Sequence, residues 1–317
     1  MSLSLTRRSP TIALAATSAD TVRGIVLITF CYLLMAFGDV AVKFALPAAG
    51  LALAILFRGF LGSATVITIA ARDGRAGIAR LMPRRWGLVL IRSALQSAVT
   101  VTWFASWTTM TLADSYAVGF TTPLIAILLA VLFIGEKLDW TRVISTVIGL
   151  VGVIIMLRPG SGMWSPTLVL LLAGVTCSAV ARTMTRQLSA SETVESLALS
   201  LLLMHIPVGF VLLYFLPIPA PTLHAGLPWD ALVALTALGV ISGYAQIVNA
   251  RAYALAPVSA LGPFDYSAML WAVSLGWLCF GETPNASAMQ GAVVIAAAGL
   301  YSFYIEHTRR TAERRAA

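Results

Sequence analysis

Asp39 and Lys43 stand four residues apart inside an apolar run, residues 24–46, and Arg58 stands inside the next, residues 50–71. Side chains four apart meet on one face of a helix. Charges in such surroundings are costly, so they pair with one another or face a hollow. Two chemistries fit. Asp39 and Lys43 form a neutralised pair that lets the helix enter an apolar phase, or Asp39, alone or with Arg58, forms a gate or anchors a polar ligand. Arg58 lies nearly halfway along its run, too deep to snorkel, so it lines a cavity or pairs structurally. Arg92 begins its run and is expected to snorkel outward as an anchor. Arg251 and Asp265 flank a short turn at Pro257. They make either a bridge that opens and closes in a working cycle or a static one, and Asp265 is also a candidate protonation site. His205 could titrate near neutrality or simply bond to a neighbouring helix.

Aromatic residues supply the other informative pattern. Trp103 and Trp107 are four apart, on one helical face. Trp103, Phe120, Tyr244 and Tyr266 fall deep within apolar runs. Flat rings there can stack on a planar solute or face a cation, or can simply be part of the packing. Trp86, Trp140, Trp164 and Trp229 fall at run ends, where rings anchor helices at a membrane interface. Glu136 and Glu282 end two runs and are expected to close the turn into the next helix. Asp114 is expected to cap the helix it opens. The sequence holds no Walker loop, no HExxH and no loop-borne Ser-His-Asp set, so neither an enzyme nor a resident cofactor or metal is expected. Cys31, Cys177 and Cys279 lie in apolar runs as small hydrophobes, with no disulfide implied.

The elements that must position these groups are membrane helices. Charged residues make up 11% of the chain and hydrophobic ones 59%, against about 25% charged in a soluble domain. A helix crosses the hydrocarbon in about 20 apolar residues. Ten such segments are expected: 24–46, 50–71, 86–110, 115–134, 143–156 with its flanks, 167–188, 194–216, 229–255, 259–280 and 288–305. The fold class is therefore all-α integral membrane. Of the 21 Lys and Arg, fifteen fall on one side, among them Arg72, Arg75, Arg80, Arg84 and Arg85. Arg158 stands alone on the other side, and Lys43, Arg58, Arg92, Arg182 and Arg251 lie within segments. Such asymmetry places both termini in the cytosol and accounts for the net charge of +8 without nucleic acid. The expected location is the inner membrane, crossed many times. The short patch after Arg7-Arg8 is broken by Thr and Ser, so residues 1–22 read as a cytosolic tail rather than a cleaved signal.

The chain also carries a pattern twice. FASWTTMTLADSYAVGFTTPLIAILLAVLFIGEKL recurs from Asn249 as NARAYALAPVSALGPFDYSAMLWAVSLGWLCFGE. Aligning Gly135-Glu136 with Gly281-Glu282 sets Phe120 against Tyr266. An odd number of segments per half inverts the second half, giving a 5+5 inverted repeat over residues 23–160 and 161–306, followed by a basic tail, residues 307–317. Such repeats place a solute site near the midplane between the halves. Small residues in the fifth and tenth segments (Gly149, Gly152, Gly291 and Gly299) suit internal packing or a homodimer seam.

The first of these stretches, with Arg158-Pro159-Gly160 after it and FDYSAMLWAVSLGWLCFGE in the second half, resembles the EamA-type group of the drug/metabolite transporter superfamily. Arg58 also resembles an arginine common there. The resemblance covers nearly the whole chain after Arg23. One departure is that Pro123 is answered by Met269, which leaves the ninth segment without that helix break. The resemblance implies a secondary carrier of small organic metabolites, amino-acid-like or aromatic and heterocyclic. LADSYAVGFTTP and RPG also resemble a branch that includes riboflavin and S-adenosylmethionine carriers. An intramembrane lipid enzyme would show clustered acids and histidines at one interface, and a scaffold would leave the duplication and buried charges without purpose. Proton coupling, counter-solute exchange and facilitated diffusion all remain open at this level.

Overall fold

The computed structural model describes residues 18–119, 165–188, 191–216, 226–255 and 267–282, with scattered positions between and beyond them. Among the described residues all regular structure is helical. The helices are α1 (Ser18–Ala71), α2 (Gly74–Ala79), α3 (Trp86–Ser106), α4 (Leu112–Gly119), α5 (Pro166–Leu188), α6 (Val194–Phe215), α7 (Trp229–Leu255) and α8 (Ser267–Phe280). Among the described residues four stretches are long and apolar enough to cross a membrane: Val22–Ala71, Trp86–Ser106, Val194–Phe215 and Trp229–Asn249. Large apolar side chains also face outward. Phe30, Phe37 and Phe44 project from α1 at seven-residue spacing, and Phe215 and Trp229 are more than two-thirds exposed. A helix apolar all round needs apolar surroundings on every side, so this is a membrane protein.

The two segments expected at 24–46 and 50–71 are joined in α1, which breaks at Gly50 (φ 71, ψ 170). Only glycine adopts that conformation without strain, and Pro47 removes a helical hydrogen bond just before it. A Cβ on Gly50 would lie 3.1 Å from Pro219, and the Thr222 hydroxyl donates to the Ala48 carbonyl. The break therefore sits under the connection between α6 and α7.

Contacts with α7 give the direction of each limb. Cys31 Sγ donates to the Ala245 carbonyl (3.3 Å) and Gly38 faces Leu238 and Ile241, so the first limb runs antiparallel to α7. Gly62 faces Gly239 and Gly243 faces Thr65, so the second limb runs parallel to it. The limbs are thus antiparallel, and α7 packs on both.

Glycine makes these approaches close. A Cβ on Gly243 would stand 2.6 Å from the Gly62 carbonyl oxygen, and one on Gly239 would stand 2.8 Å from that of Phe57. Small residues let membrane helices meet backbone to backbone. Gly243→Val is expected to lower the melting temperature of the purified protein by about 2–5 °C, since overpacking costs about 1–3 kcal/mol and the obstacle is main chain.

A second layer pairs α3 with α5. Gly174 meets Thr102 and Arg92 meets Thr185, which makes the pair antiparallel. The central apolar cluster draws on α1, α3, α4, α7 and α8 through Val42, Leu46, Ile55, Phe104, Trp107, Leu112, Leu238 and Ala272.

Helix boundaries elsewhere have local causes. The third segment, expected to reach residue 110, ends at Ser106, and the chain then turns with the Met110 N–H returning to the Ser106 carbonyl (2.8 Å). The next helix begins at Leu112 rather than 115 because Thr111 caps it: the Thr111 hydroxyl accepts the Asp114 N–H at 3.0 Å. Asp114 itself does not cap, and its Oδ1 is buried without a partner. The sixth, seventh and eighth segments match α5, α6 and α7 to within a residue. Most of the fourth beyond residue 119 and parts of the fifth and tenth lie outside the described residues, and the ninth is described mainly from Ser267 onward, as α8.

Candidate functional site

At 1.5 Å per residue, Asp39 lies about 16 Å before the Gly50 turn and Arg58 about 12 Å after it. Both therefore sit near half the depth of a hydrocarbon layer about 30 Å thick. The Asp39 carboxylate is buried and accepts a hydrogen bond from the Tyr116 hydroxyl of α4. Arg58, on the other limb of the hairpin, is close enough for its charge to act on both. Its guanidinium lies over the Phe104 ring, 5.5 Å from the centroid, and its Nε has no hydrogen-bond partner. Coulombic coupling is strong in such surroundings. Here it joins a carboxylate, a phenol and a guanidinium carried by both limbs of α1 and by α4.

An aromatic wall closes one side. Trp103 meets Tyr116 edge to face at 5.1 Å and Trp107 at 6.1 Å, while Phe104 and Trp107 lie 5.3 Å apart. Trp103 fits because residue 119 is glycine: a Cβ there would stand 2.7 Å from the indole ring. The Trp107 indole N–H is buried and unbonded. His205 on α6 is fully buried, is reached by the Arg58 charge, and finds no partner on a neighbouring helix for either ring nitrogen. Among the described residues the expected helix-to-helix histidine bond is not made. Unpaired polar atoms at this depth are costly unless something comes to meet them.

Lys43 does not pair with Asp39. Its ammonium bonds Glu282 Oε1 at 2.5 Å and the Met110 carbonyl at 2.9 Å, with the Phe280 ring 5.5 Å away. Glu282 also accepts the N–H of Leu112, at the start of α4 (3.2 Å). The cause is local. Gly281 takes a left-handed conformation (φ 66) that ends α8 and turns Glu282 back, its N–H returning to the Gly276 carbonyl at 3.1 Å. Glu282, expected only to close a turn, instead ties α1, the α3–α4 connection and α8 together near the end of the bundle that holds the Gly50 turn.

Arg92 is not a snorkelling anchor. It is buried, donating from Nε to Thr185 Oγ1 and from Nη1 to the Leu197 carbonyl, both at 2.9 Å. Its guanidinium fastens α3 to α5 and α6. Arg92→Ala is expected to lower the melting temperature by about 5 °C or more, because two acceptors lose a charged donor. Glu192 anchors the same end by accepting the N–H groups of Arg84 (2.8 Å) and Arg85 (2.7 Å) just before α3.

Tyr244 and Arg251 lie together in a different place, a cleft of about 590 Å³ between α1 and α7 at the basic end. Both are exposed, and Tyr244 lines that cleft rather than joining Trp103. Phe120, Tyr266 and Asp265 lie outside the described residues, so the Arg251–Asp265 bridge does too. Among the described residues there is no cluster of His, Cys, Asp and Glu arranged to hold a metal. The sequence reading missed Tyr116 and Phe104. Tyr116 lies within the repeated LADSYAVGF stretch, and a buried tyrosine needs a partner for its hydroxyl.

Residues 22–158 match the EamA-like transporter family. Over 232 residues the chain is 28% identical to a riboflavin transporter of Brucella anthropi, covering 72% of this chain and 80% of that one. It is 22% identical over 254 residues to an S-adenosylmethionine uptake transporter of Rickettsia prowazekii, covering 79% and 82%. It is 25% identical over 255 residues to a pseudopaline exporter of Pseudomonas aeruginosa, covering 80% and 85%. A crystal structure 17% identical in sequence superposes with a TM-score of 0.60 over 91% of this chain and 97% of its own, which speaks to the fold alone. With the match confined to residues 22–158, that stretch is an EamA-like transporter domain, and over most of its length the chain is similar to transporters of small metabolites.

Proposed function

We propose that this chain is a multi-pass inner-membrane secondary transporter that moves small organic metabolites by alternating access. In this reading ten transmembrane helices form two inverted five-helix repeats, residues 23–160 and 161–306, with both termini cytosolic. The solute site is the mid-depth cluster of Asp39, Tyr116 and Arg58 against Trp103, Phe104 and Trp107. The observation that carries the reading is that cluster itself: opposite charges at half-depth, beside an aromatic wall and unpaired donors. Phe120 and Tyr266 are proposed to complete the wall, His205 to meet the solute or take part in coupling, and Arg251 with Asp265 to close the basic end.

The cargo class follows from what the cluster offers. A flat heteroaromatic ring stacks on indole, a cationic centre is drawn to Asp39 and the ring faces, and an acidic or carbonyl edge suits Arg58. Riboflavin and S-adenosylmethionine, which relatives are named for, each carry a heteroaromatic ring with polar groups around it. Lys43 and Glu282 serve as a latch that holds the opposite end shut while the site communicates with the basic side.

A thermal-stability screen of the purified protein with riboflavin, S-adenosylmethionine and amino acids tests this. A ligand at about 100 times its Kd adds about 2.7 kcal/mol, a rise of about 5 °C or more. That rise should vanish in Trp103→Ala. If no class of solute stabilises the protein, or if the rise persists unchanged in Trp103→Ala, the site assignment is wrong.

A further inference from the structure

The cleft between the second limb of α1 and α7 has no part in the solute site, yet it is shaped and charged for a ligand. Its floor is lined by Leu61, Ala64, Thr65, Val240, Tyr244 and Ile247, and its mouth by Arg72, Asp73, Glu195 and Arg251. We infer that it binds one anionic phospholipid, with the phosphate between Arg72 and Arg251 and an acyl chain along the floor.

Depth supports this placement. Arg72 follows the Gly50 turn by 22 residues and Arg251 follows the exposed Trp229 by 22. Each interval is about 33 Å of helix, enough to carry both guanidinium groups from one face of the hydrocarbon to the opposite headgroup layer. Packing puts the two ends level, since Val66 and Ala70 share a cluster with Ile247.

Charge supports it as well. The mouth holds two carboxylates, but Arg80 pairs with both: its Nη2 bonds Asp73, and its Nε lies 3.6 Å from Glu195. Among the described residues the side chains of Arg72 and Arg251 have no ion pair or hydrogen bond, so with the basic end open and Arg251 apart from Asp265 the mouth presents two positive charges to a phosphate. Below it, Thr65 and Thr68 donate to the carbonyls of Leu61 and Ala64, at 2.8 Å each, so their hydroxyls are already engaged within the helix. Tyr244 stands seven residues, about 10 Å, below Arg251, where its hydroxyl can meet a glycerol ester. Two arginines at a headgroup layer favour a net negative lipid over a zwitterionic one by about tenfold or more.

Native mass spectrometry of the full chain in micelles holding equal phosphatidylglycerol and phosphatidylcholine tests the proposal. One retained phosphatidylglycerol is expected, undisplaced by millimolar inorganic phosphate. Arg72→Gln/Arg251→Gln should lower its occupancy about tenfold, while Arg75→Gln, outside the cleft, should not. Ala64→Phe, which keeps both charges but fills the floor, should lower it too, and it decides the matter if the double variant does not fold. Equal retention of both lipids, displacement by phosphate, or unchanged occupancy in Ala64→Phe would overturn the proposal.

Discussion

Asp39→Asn is expected to reduce solute uptake by proteoliposomes at least tenfold, and Arg58→Gln to do the same. A charge-assisted contact contributes about 1.5–3 kcal/mol, a factor of about 10 to 150 in binding. Asp39→Asn keeps an oxygen for the Tyr116 hydroxyl but removes the negative charge facing Arg58. Stability should fall as well, because a buried charge that loses its partner costs about 3–5 kcal/mol. The double variant Asp39→Asn/Arg58→Gln separates the two roles. If the pair only stabilises, the double variant should regain both melting temperature and transport. If it also holds solute, stability returns and uptake does not. Tyr116→Phe removes a single hydroxyl and should cost only several-fold. Wild-type uptake in the double variant would end the case for this cluster as the binding site.

Joining residues 43 and 282 covalently should have an equally large effect. Lys43 and Glu282 are mostly buried, with side chains 12% and 19% exposed, and they bridge the first half of the chain to the second. Cross-linking Lys43→Cys to Glu282→Cys with a short bis-methanethiosulfonate, which spans the gap that the long Lys43 and Glu282 side chains leave, should bring transport to the level of empty vesicles, with reductant restoring part of it. The single variant Glu282→Gln should act in the opposite sense, favouring conformers in which that end is open. A coupling of about 1–3 kcal/mol corresponds to a population shift of about 5- to 150-fold. Unimpaired transport by the cross-linked double cysteine variant would show that this end never opens.

The sequence predicted the helices well where apolar length alone decides them. Residues 229–255 and 167–188 are bounded by polar or turn-forming residues, and the structure reproduces them as α7 and α5 nearly to the residue. Charge partners were less legible. Spacing of four suggested Asp39 with Lys43, but α1 presents them to different neighbours: Asp39 meets α4, while Lys43 meets the end of α8. Tertiary packing decides between such alternatives, and a one-dimensional pattern does not contain it. Arg92 shows the same limit. Its place near a helix start suggested snorkelling, yet Thr185 and the Leu197 carbonyl hold it inside. Glu282 needed a backbone fact, the left-handed Gly281, before its reach could be seen. Sequence named Asp39, Arg58 and Trp103 on separate segments, and the structure brings the three into one mid-depth cluster.

Access to that cluster from each side of the membrane can be measured without knowing the solute. Cys31, Cys177 and Cys279 form no disulfide among the described residues and can be replaced, leaving Tyr116→Cys as the single target for a membrane-impermeant thiol reagent applied to one face at a time. With Lys43 and Glu282 intact, modification is expected from the basic face and little from the other. With Glu282→Gln added, it is expected to rise at least fivefold from the opposite face. No reaction from either face, or equal reaction from both regardless of residue 282, would contradict a solute site that opens alternately to the two sides.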